Sequence, residues 1–366
     1  MDTEIKQILD IINNNGYLAY VIGGYVRDKL LGNISYDVDI ATNAKPKELS
    51  ELFNGYNGTY SNYGSYKIIT DKYNFDITTF RKEISYDKRR PVNMEYVKTL
   101  NDDIIRRDFT INTICMDSDG KIIDLLNGMN DLKNKTIRCV GDPVTKIKED
   151  PLRILRALRL SIILGFTIES NLLNAIKKNI KLIGDLSYSR RREELDKILI
   201  NSNSINGLNI LKNLDVLKYL EVSYTDIVYV DNLMGMYAQL NISDNYQFNK
   251  EEIKVIKEIR SIIKIGDIDN KVLFNYGLYV SSIAAKILNI DIVKINKMYD
   301  ALPIKSIKDL DISSNEIITV LNIEPSNIIK KIQNNLINMI LDGKLENKKD
   351  IIIMYIINNK RMWENE

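Results

Sequence analysis

Apolar positions change their spacing along this chain, and the changes mark out its elements. Ile5, Ile8, Leu9 and Ile12 fall on one face of a helix that Gly16 can end. The run YLAYVIGG, Tyr17 to Gly24, then reads as a buried strand leading into two glycines. YVRDKLLG predicts a short helix closed by Gly32, and YDVDIAT alternates as a strand, with Val38 and Ile40 on one side and Asp37 and Asp39 on the other. ATNAKPKELSELF predicts a helix with Asn43 as its cap and Pro46 in its first turn, and SYKIIT with FDITTF predicts a hairpin. Beyond Lys135 the pattern is almost wholly helical, with breaks near Gly184, over Asn201 to Gly207 and near Gly266, and later boundaries at Pro303 and Pro325. The expected class is α+β: a head of mixed sheet and helices over residues 1–135, then all-helical segments over 136–200, 201–300 and 301–366.

Composition narrows the chemistry. The 366 residues exceed one compact core, and a 45% apolar fraction is ample for folding. A formal net charge of +2 means that any polyanion must be met by local patches. Cys115 and Cys139 lack metal-ligand spacing and point to a reducing compartment without a disulfide framework. The opening MDTEIKQILDIINNNG carries charges where a signal peptide needs an apolar run, and no stretch has the apolar length of a membrane span. These features predict a soluble, cytoplasmic protein with no membrane partner. Histidine is absent altogether. That removes Ser-His-Asp hydrolysis, imidazole general bases and His-dependent metal sites, leaving carboxylate, arginine and lysine chemistry.

The stretch GGYVRDKLLGNISYDVDIAT, Gly23 to Thr42, concentrates that chemistry. Asp37 and Asp39 share a strand face, where two carboxylates repel unless cations bridge them, and oxygen ligands suit Mg²⁺. Two-metal phosphoryl transfer uses such a pair, one ion activating a hydroxyl and the other holding the triphosphate. Gly23 and Gly24, between a strand and a helix, let backbone amides approach phosphate, and Arg27 adds a fixed cation. D-x-D alone is weak; with GG-x-V-R-D before it the signal is strong.

VIGGYVRDKLLGNISYDVDIAT resembles the head motif of the class II tRNA nucleotidyltransferases, the CCA-adding enzymes, which share a polymerase-β-like fold with bacterial poly(A) polymerases. IIRRDFTINTICMD, DLLNGMNDL, VGDPVTKIKEDPLRILRALRL and LPIKSIKDLDI match in the same order. The resemblance implies a polymerase-β-like head followed by helical neck, body and tail. It implies transfer of CMP and AMP from CTP and ATP to a tRNA 3′ end with two Mg²⁺ ions, the tail gripping the tRNA elbow. It gives Asp76 in FDITTF as the third carboxylate, where the family more often has glutamate. In RRDFTIN, Arg107 can fork onto phosphate oxygens, and Asp108 or Asn112 can pair with a ribose hydroxyl.

EDPLRILRALR spaces Asp150, Arg153, Arg156 and Arg159 along one expected helical stripe, with Pro151 in the first turn and Leu152, Leu155 and Leu158 packing inward. A carboxylate accepting from an exocyclic amine beside an arginine donating to a ring nitrogen selects cytosine and adenine over uracil and guanine. The resemblance assigns that role to Asp150 and Arg153, with Arg156 and Arg159 supporting nucleotide and phosphate. It also gives FRKEISYDKRRPVNMEYV as a loop found in relatives that add A, with Tyr86, Asp87, Arg89, Arg90 and Pro91 as its marks. In LSYSRRREELDKIL, Ser189 stands where a glutamate usually precedes the first arginine, and Glu194 supplies the later acidic position. An A-adding enzyme, a poly(A) polymerase and a catalytically silent RNA-binding module remain as alternatives.

Overall fold

The computed structural model describes residues 1–54, 58–60, 65–87 and 90–364, and the chain divides into two compact units, Met1–Val222 and Ser223–Glu366. In the first, helix α1 (Thr3–Asn14) buries Ile5, Ile8, Leu9 and Ile12, and the Asp2 side chain caps it on the Glu4 N–H. Strand β1 (Ala19–Ile22) follows and runs into α2 (Gly24–Leu30). Next come β2 (Asp37–Thr42), α3 (Pro46–Leu52), β3 (Gly58–Tyr60), β4 (Ser65–Ile69) and β5 (Asn74–Thr79). Pro46 opens α3 as expected, but its cap residue is Lys45. Asn43 stands three residues ahead of Pro46, and its Oδ1 instead accepts the N–H of Leu18, the residue before β1, at 2.7 Å.

Strands β6 (Arg81–Asp87) and β7 (Arg90–Tyr96) form a separate antiparallel ribbon, after which come α4 (Leu100–Ile104), β8 (Cys115–Met116) and β9 (Ile122–Ile123). The main sheet of seven strands has the order β3-β4-β5-β2-β1-β8-β9 among the described residues. The β2–β5 pair is parallel and its other pairs are antiparallel. Alternation along β2 buries Val38 and Ile40 and leaves Asp37 and Asp39 exposed on the other face. Ile22, Ala41, Phe80, Leu100, Ile104 and Cys115 form a buried cluster that joins β1 and β2 to α4 and β8. Its Ile, Leu and Phe side chains each contribute roughly 1.5–3 kcal/mol on burial.

Helices take over with α5 (Gly128–Lys133), α6 (Pro143–Glu149), α7 (Leu152–Leu164), α8 (Ser170–Asn179), α9 (Tyr188–Leu199), α10 (Ser204–Asn213) and α11 (Val216–Leu220). Thr136–Ile137 and Thr167–Ile168 make a small parallel pair among them. Leu152, Leu155 and Leu158 of α7 point inward as expected. Gly207, expected at a break, lies inside α10, where a Cβ would come within 2.7 Å of Ile162 Cγ2; here glycine allows helices to pack closely instead of ending one.

The second unit is helical from α12 (Leu233–Ala238) to α19 (Lys360–Glu364). Five of its helix N-termini are capped by Asn232, Asn249, Asp269, Asp291 and Ser313, each accepting from a backbone N–H of the first turn, while the helices Asn327–Leu341 and Lys349–Asn358 have no side-chain cap among the described residues. Among the described residues no helix is long and apolar enough to cross a membrane.

Candidate active site

The β2–β5 register sets Asp39 directly beside Asp76 and Asp37 beside Asn74, so the three carboxylates share one face of the sheet. Asn74 Nδ2 donates to Asp37 Oδ1 at 3.0 Å. Lys67 on β4 is registered with Asp76, its Nζ 3.7 Å from Asp76 Oδ2, while Asp76 Oδ1 is buried with no hydrogen-bond partner among the described residues. Asp39, like Asp37, retains solvent-accessible surface. The surrounding protein raises its pKa to about 6; the negative charges of Asp76 and Asp37 add to this, and Arg107 and Arg156 oppose it. Gly23 caps α2 with φ 81°, and a Cβ there would come 2.7 Å from Asp39 Oδ2. A Cβ on Gly24 would meet only Arg27 Nη2, at 3.6 Å, so Gly23 is the glycine the carboxylate's position demands.

A chain of polar contacts leads away from this face. Buried Arg27 donates from Nε and Nη2 to the two oxygens of Asp28, at 2.8 and 2.9 Å, and from Nη1 to Asn112 Oδ1 at 2.7 Å. Asn112 lies in a 3-10 turn over Thr110–Asn112 and donates to Asp108 Oδ1 at 3.2 Å. Asp108 Oδ2 accepts from Arg156 Nε at 2.8 Å and Nη2 at 2.5 Å. Burial alone would raise the Asp108 pKa; Arg156, with the Asn112 amide and the Phe109 N–H, outweighs it and holds the carboxyl at about 2. Arg156 is raised in turn, chiefly by Asp108. Arg27, Asn112, Asp108 and Arg156 therefore form one network, and Arg159 pairs with buried Glu194 on α9.

Asp150 does not stand on the stripe of α7. It is the extended residue at the α6–α7 junction (φ −143°, ψ 100°), and Pro151 is the helix cap rather than a first-turn residue. A residue just before a proline is disfavoured from helical geometry, which overrides the spacing of three. Asp150 Oδ1 accepts the Leu152 N–H at 3.1 Å and Oδ2 accepts from Arg190 Nη2 at 2.9 Å. Arg153 is on α7 but buried, donating from Nη1 to Lys146 O and Glu149 Oε2 and from Nη2 to Arg106 O. Arg190, forty positions from Asp150, has no local sequence signal.

Arg107 donates from Nε and Nη2 to Asp103 Oδ2 at 3.2 and 2.9 Å, and Arg106 pairs with Oδ1 of the same carboxylate. Asp103 was legible, since it stands three and four residues ahead of the two arginines. DLLNGMNDL supports this segment from behind. Asp124 accepts the Gly128 and Met129 N–H groups, a Cβ on Gly128 would lie 2.3 Å from Thr110 O, and buried Asp131 accepts from Thr110 Oγ1 at 2.6 Å. Of the loop residues Tyr86, Asp87, Arg89, Arg90 and Pro91, Arg89 and the side chains of the other four lie outside the described residues.

Among the described residues no three or more His, Cys, Asp or Glu side chains gather into a metal site by themselves. Asp37 and Asp39, both oxygen donors on one face beside Asp76 Oδ1, which has no partner among the described residues, still fit Mg²⁺. That ion commonly takes one or two carboxylates and completes its shell with water and substrate phosphate.

Three family models match the chain. The poly A polymerase head domain covers residues 19–138, and the probable RNA and SrmB-binding site of polymerase A covers 165–223. A putative tRNA nucleotidyltransferase domain 2 covers 206–356. The sheet with its aspartates is thus a nucleotidyltransferase head, and the protein is an enzyme of that class. The CCA-adding enzyme of Ligilactobacillus salivarius is 33% identical over 94% of this chain and 94% of its own length, and that of Lactobacillus helveticus 32% over 95% of each. The CCA-adding enzyme of Bacillus stearothermophilus in complex with CTP has the same fold, with a TM-score of 0.87 at 24% identity over 100% of both chains. That of Thermotoga maritima complexed with tRNA gives 0.68 at 21% identity over 98% of this chain and 96% of the other. This chain belongs to the CCA-adding enzyme family.

Proposed function

We propose that the chain transfers CMP and AMP from CTP and ATP to the 3′ end of tRNA in the cytoplasm, without a nucleic-acid template and with release of pyrophosphate. The observation that carries the reading is the β2–β5 register, which gathers Asp37, Asp39 and Asp76 beside a network of arginines. Asp37 and Asp39 hold Mg²⁺, which when bound supplies Lewis-acid stabilisation of the transferring phosphoryl group. Asp76 completes the acidic face. Arg27 and Arg107 keep N–H donors beyond those used by Asp28, Asn112 and Asp103, and with the Gly24 backbone they receive the triphosphate. Asp108 and Asn112 position the ribose side through their shared hydrogen bond, and Arg156 links them to α7.

Base choice falls to Asp150 and Arg153. Asp150 presents a carboxylate oriented by Arg190, and Arg153 retains donors for a ring nitrogen; Arg159 braces the helix against Glu194. The four-part division into head, neck, body and tail accompanies this reading, with the tail engaging the tRNA elbow.

The deciding experiment offers a tRNA lacking its last three nucleotides, the same tRNA ending in CC, and an unstructured RNA, each with CTP and ATP together and separately. C, C, then A with termination is expected, with poor use of the unstructured RNA. Long A tracts on the latter would make the protein a poly(A) polymerase, and activity confined to the CC-ended tRNA an A-adding enzyme. Absence of pyrophosphate release with every substrate would leave a binding module and refute the proposal.

A further inference from the structure

Asp103 has 1% of its side-chain surface exposed, yet it is outside every stretch given a role above. Both of its oxygens are saturated. Oδ1 accepts the Arg81 N–H at 3.1 Å and Arg106 Nε at 2.8 Å; Oδ2 accepts Arg107 Nε at 3.2 Å and Nη2 at 2.9 Å. Two donors from one guanidinium to one oxygen fix the direction in which its remaining edge points. Arg107 Nη1 has no hydrogen-bond partner among the described residues.

We propose that Asp103 is a positioning residue for the incoming nucleotide: it aims the unused edge of Arg107 at the triphosphate and ties that arginine to the first residue of β6 through the Arg81 N–H. The inference rests on the reading of Arg107 as a triphosphate ligand. Aim and charge make opposite predictions. Removing the negative charge strengthens the local positive potential, so if Arg107 acted by charge alone, Asp103→Asn would leave nucleotide KM unchanged or lower it. Losing the aim must raise it.

The test measures kcat and KM for CTP and ATP on tRNA substrates, inhibition by inorganic pyrophosphate, and thermal melting, for Asp103→Asn, Arg107→Ala and the double variant. For Asp103→Asn, KM for both nucleotides is expected to rise on the order of tenfold, the worth of one charged hydrogen bond. Pyrophosphate inhibition should weaken in step and the preference for C and A over U and G should hold, because phosphate contacts carry no base information. The double variant should be no worse than Arg107→Ala. If Asp103→Asn fails to fold, Asp103→Asn/Arg106→Gln removes one charge of each sign and should show the same rise. A folded Asp103 variant with unchanged or lower KM, or effects that add in the double variant, overturns the positioning role. If Arg107→Ala itself leaves KM unchanged, the triphosphate reading of Arg107 fails first and the proposal fails with it.

Discussion

Replacing Gly23 with alanine perturbs the catalytic face without touching a catalytic side chain. The added Cβ would sit 2.7 Å from Asp39 Oδ2, so the carboxylate or the backbone must yield by roughly 0.5–1 Å to reach ordinary contact. The backbone resists as well, because φ 81° with ψ −143° is a conformation that only glycine adopts readily. That strain costs about 1–3 kcal/mol, or roughly 2–10 °C in Tm for a unit of this size. A 1 Å displacement at the reacting centre can cost about 100-fold in rate, so turnover should fall at least that far while tRNA affinity is retained. Gly24→Ala is the control. Its Cβ meets only Arg27 Nη2 at 3.6 Å, and it opens a helix that alanine favours, so stability should hold or improve by up to about 1 kcal/mol. Thermal melting and single-turnover incorporation of CTP into a shortened tRNA, run on both variants, decide the matter. A folded Gly23→Ala enzyme with near wild-type single-turnover rate would falsify the steric argument and free Asp39 from any need for a glycine neighbour.

Asp37→Asn and Asp39→Asn should each abolish incorporation of both nucleotides, with tRNA binding by filter retention kept; near-normal turnover in Mg²⁺ would remove the metal assignment. Asp150→Ala should erode the preference for CTP and ATP over UTP and GTP more than it weakens triphosphate binding, measured by incorporation of all four nucleotides, and an unchanged preference would place base choice elsewhere. Asp108 sits at about 2 when folded against an ordinary 3.8, so its contribution of about 2 kcal/mol is complete above pH about 4 and disappears as pH falls toward 2. Denaturant unfolding of Asp108→Asn should therefore show its deficit against wild type at neutral pH and lose it at pH 2; a deficit constant with pH would deny the Arg156 pairing its weight.

The paired aspartates and the sheet carrying them were readable because alternation in YDVDIAT determines the face of each side chain. Their partner was readable only in part. Alternation places Asp76 on a face of its own strand but does not specify whether β5 lies against β2, in which direction or in what register. Asp150 misled for a different reason: a spacing of three matches a helical turn, yet the proline after it holds it extended. Arg190 reaches Asp150, and Glu194 reaches Arg159, across separations at which a single sequence carries no signal. Asp103 did carry one, at i−3 and i−4 from the two arginines, hidden in a run that reads as an ordinary charged surface.

The Asp108–Arg156 pair joins a turn beside the sheet to a helix 48 positions further along, and Arg27–Asn112 joins the first glycine motif to the same turn. Neither segment can therefore be transplanted alone. A chimera that kept this sheet but took α7 from a relative with a different residue at 156 would strand a buried carboxylate, and one that kept α7 under a foreign sheet would strand its guanidinium. Grafts between relatives that differ at either position should therefore fail when the junction falls between Asp108 and Arg156, and a junction beyond Glu194 also keeps the Asp150–Arg190 and Arg159–Glu194 pairs together.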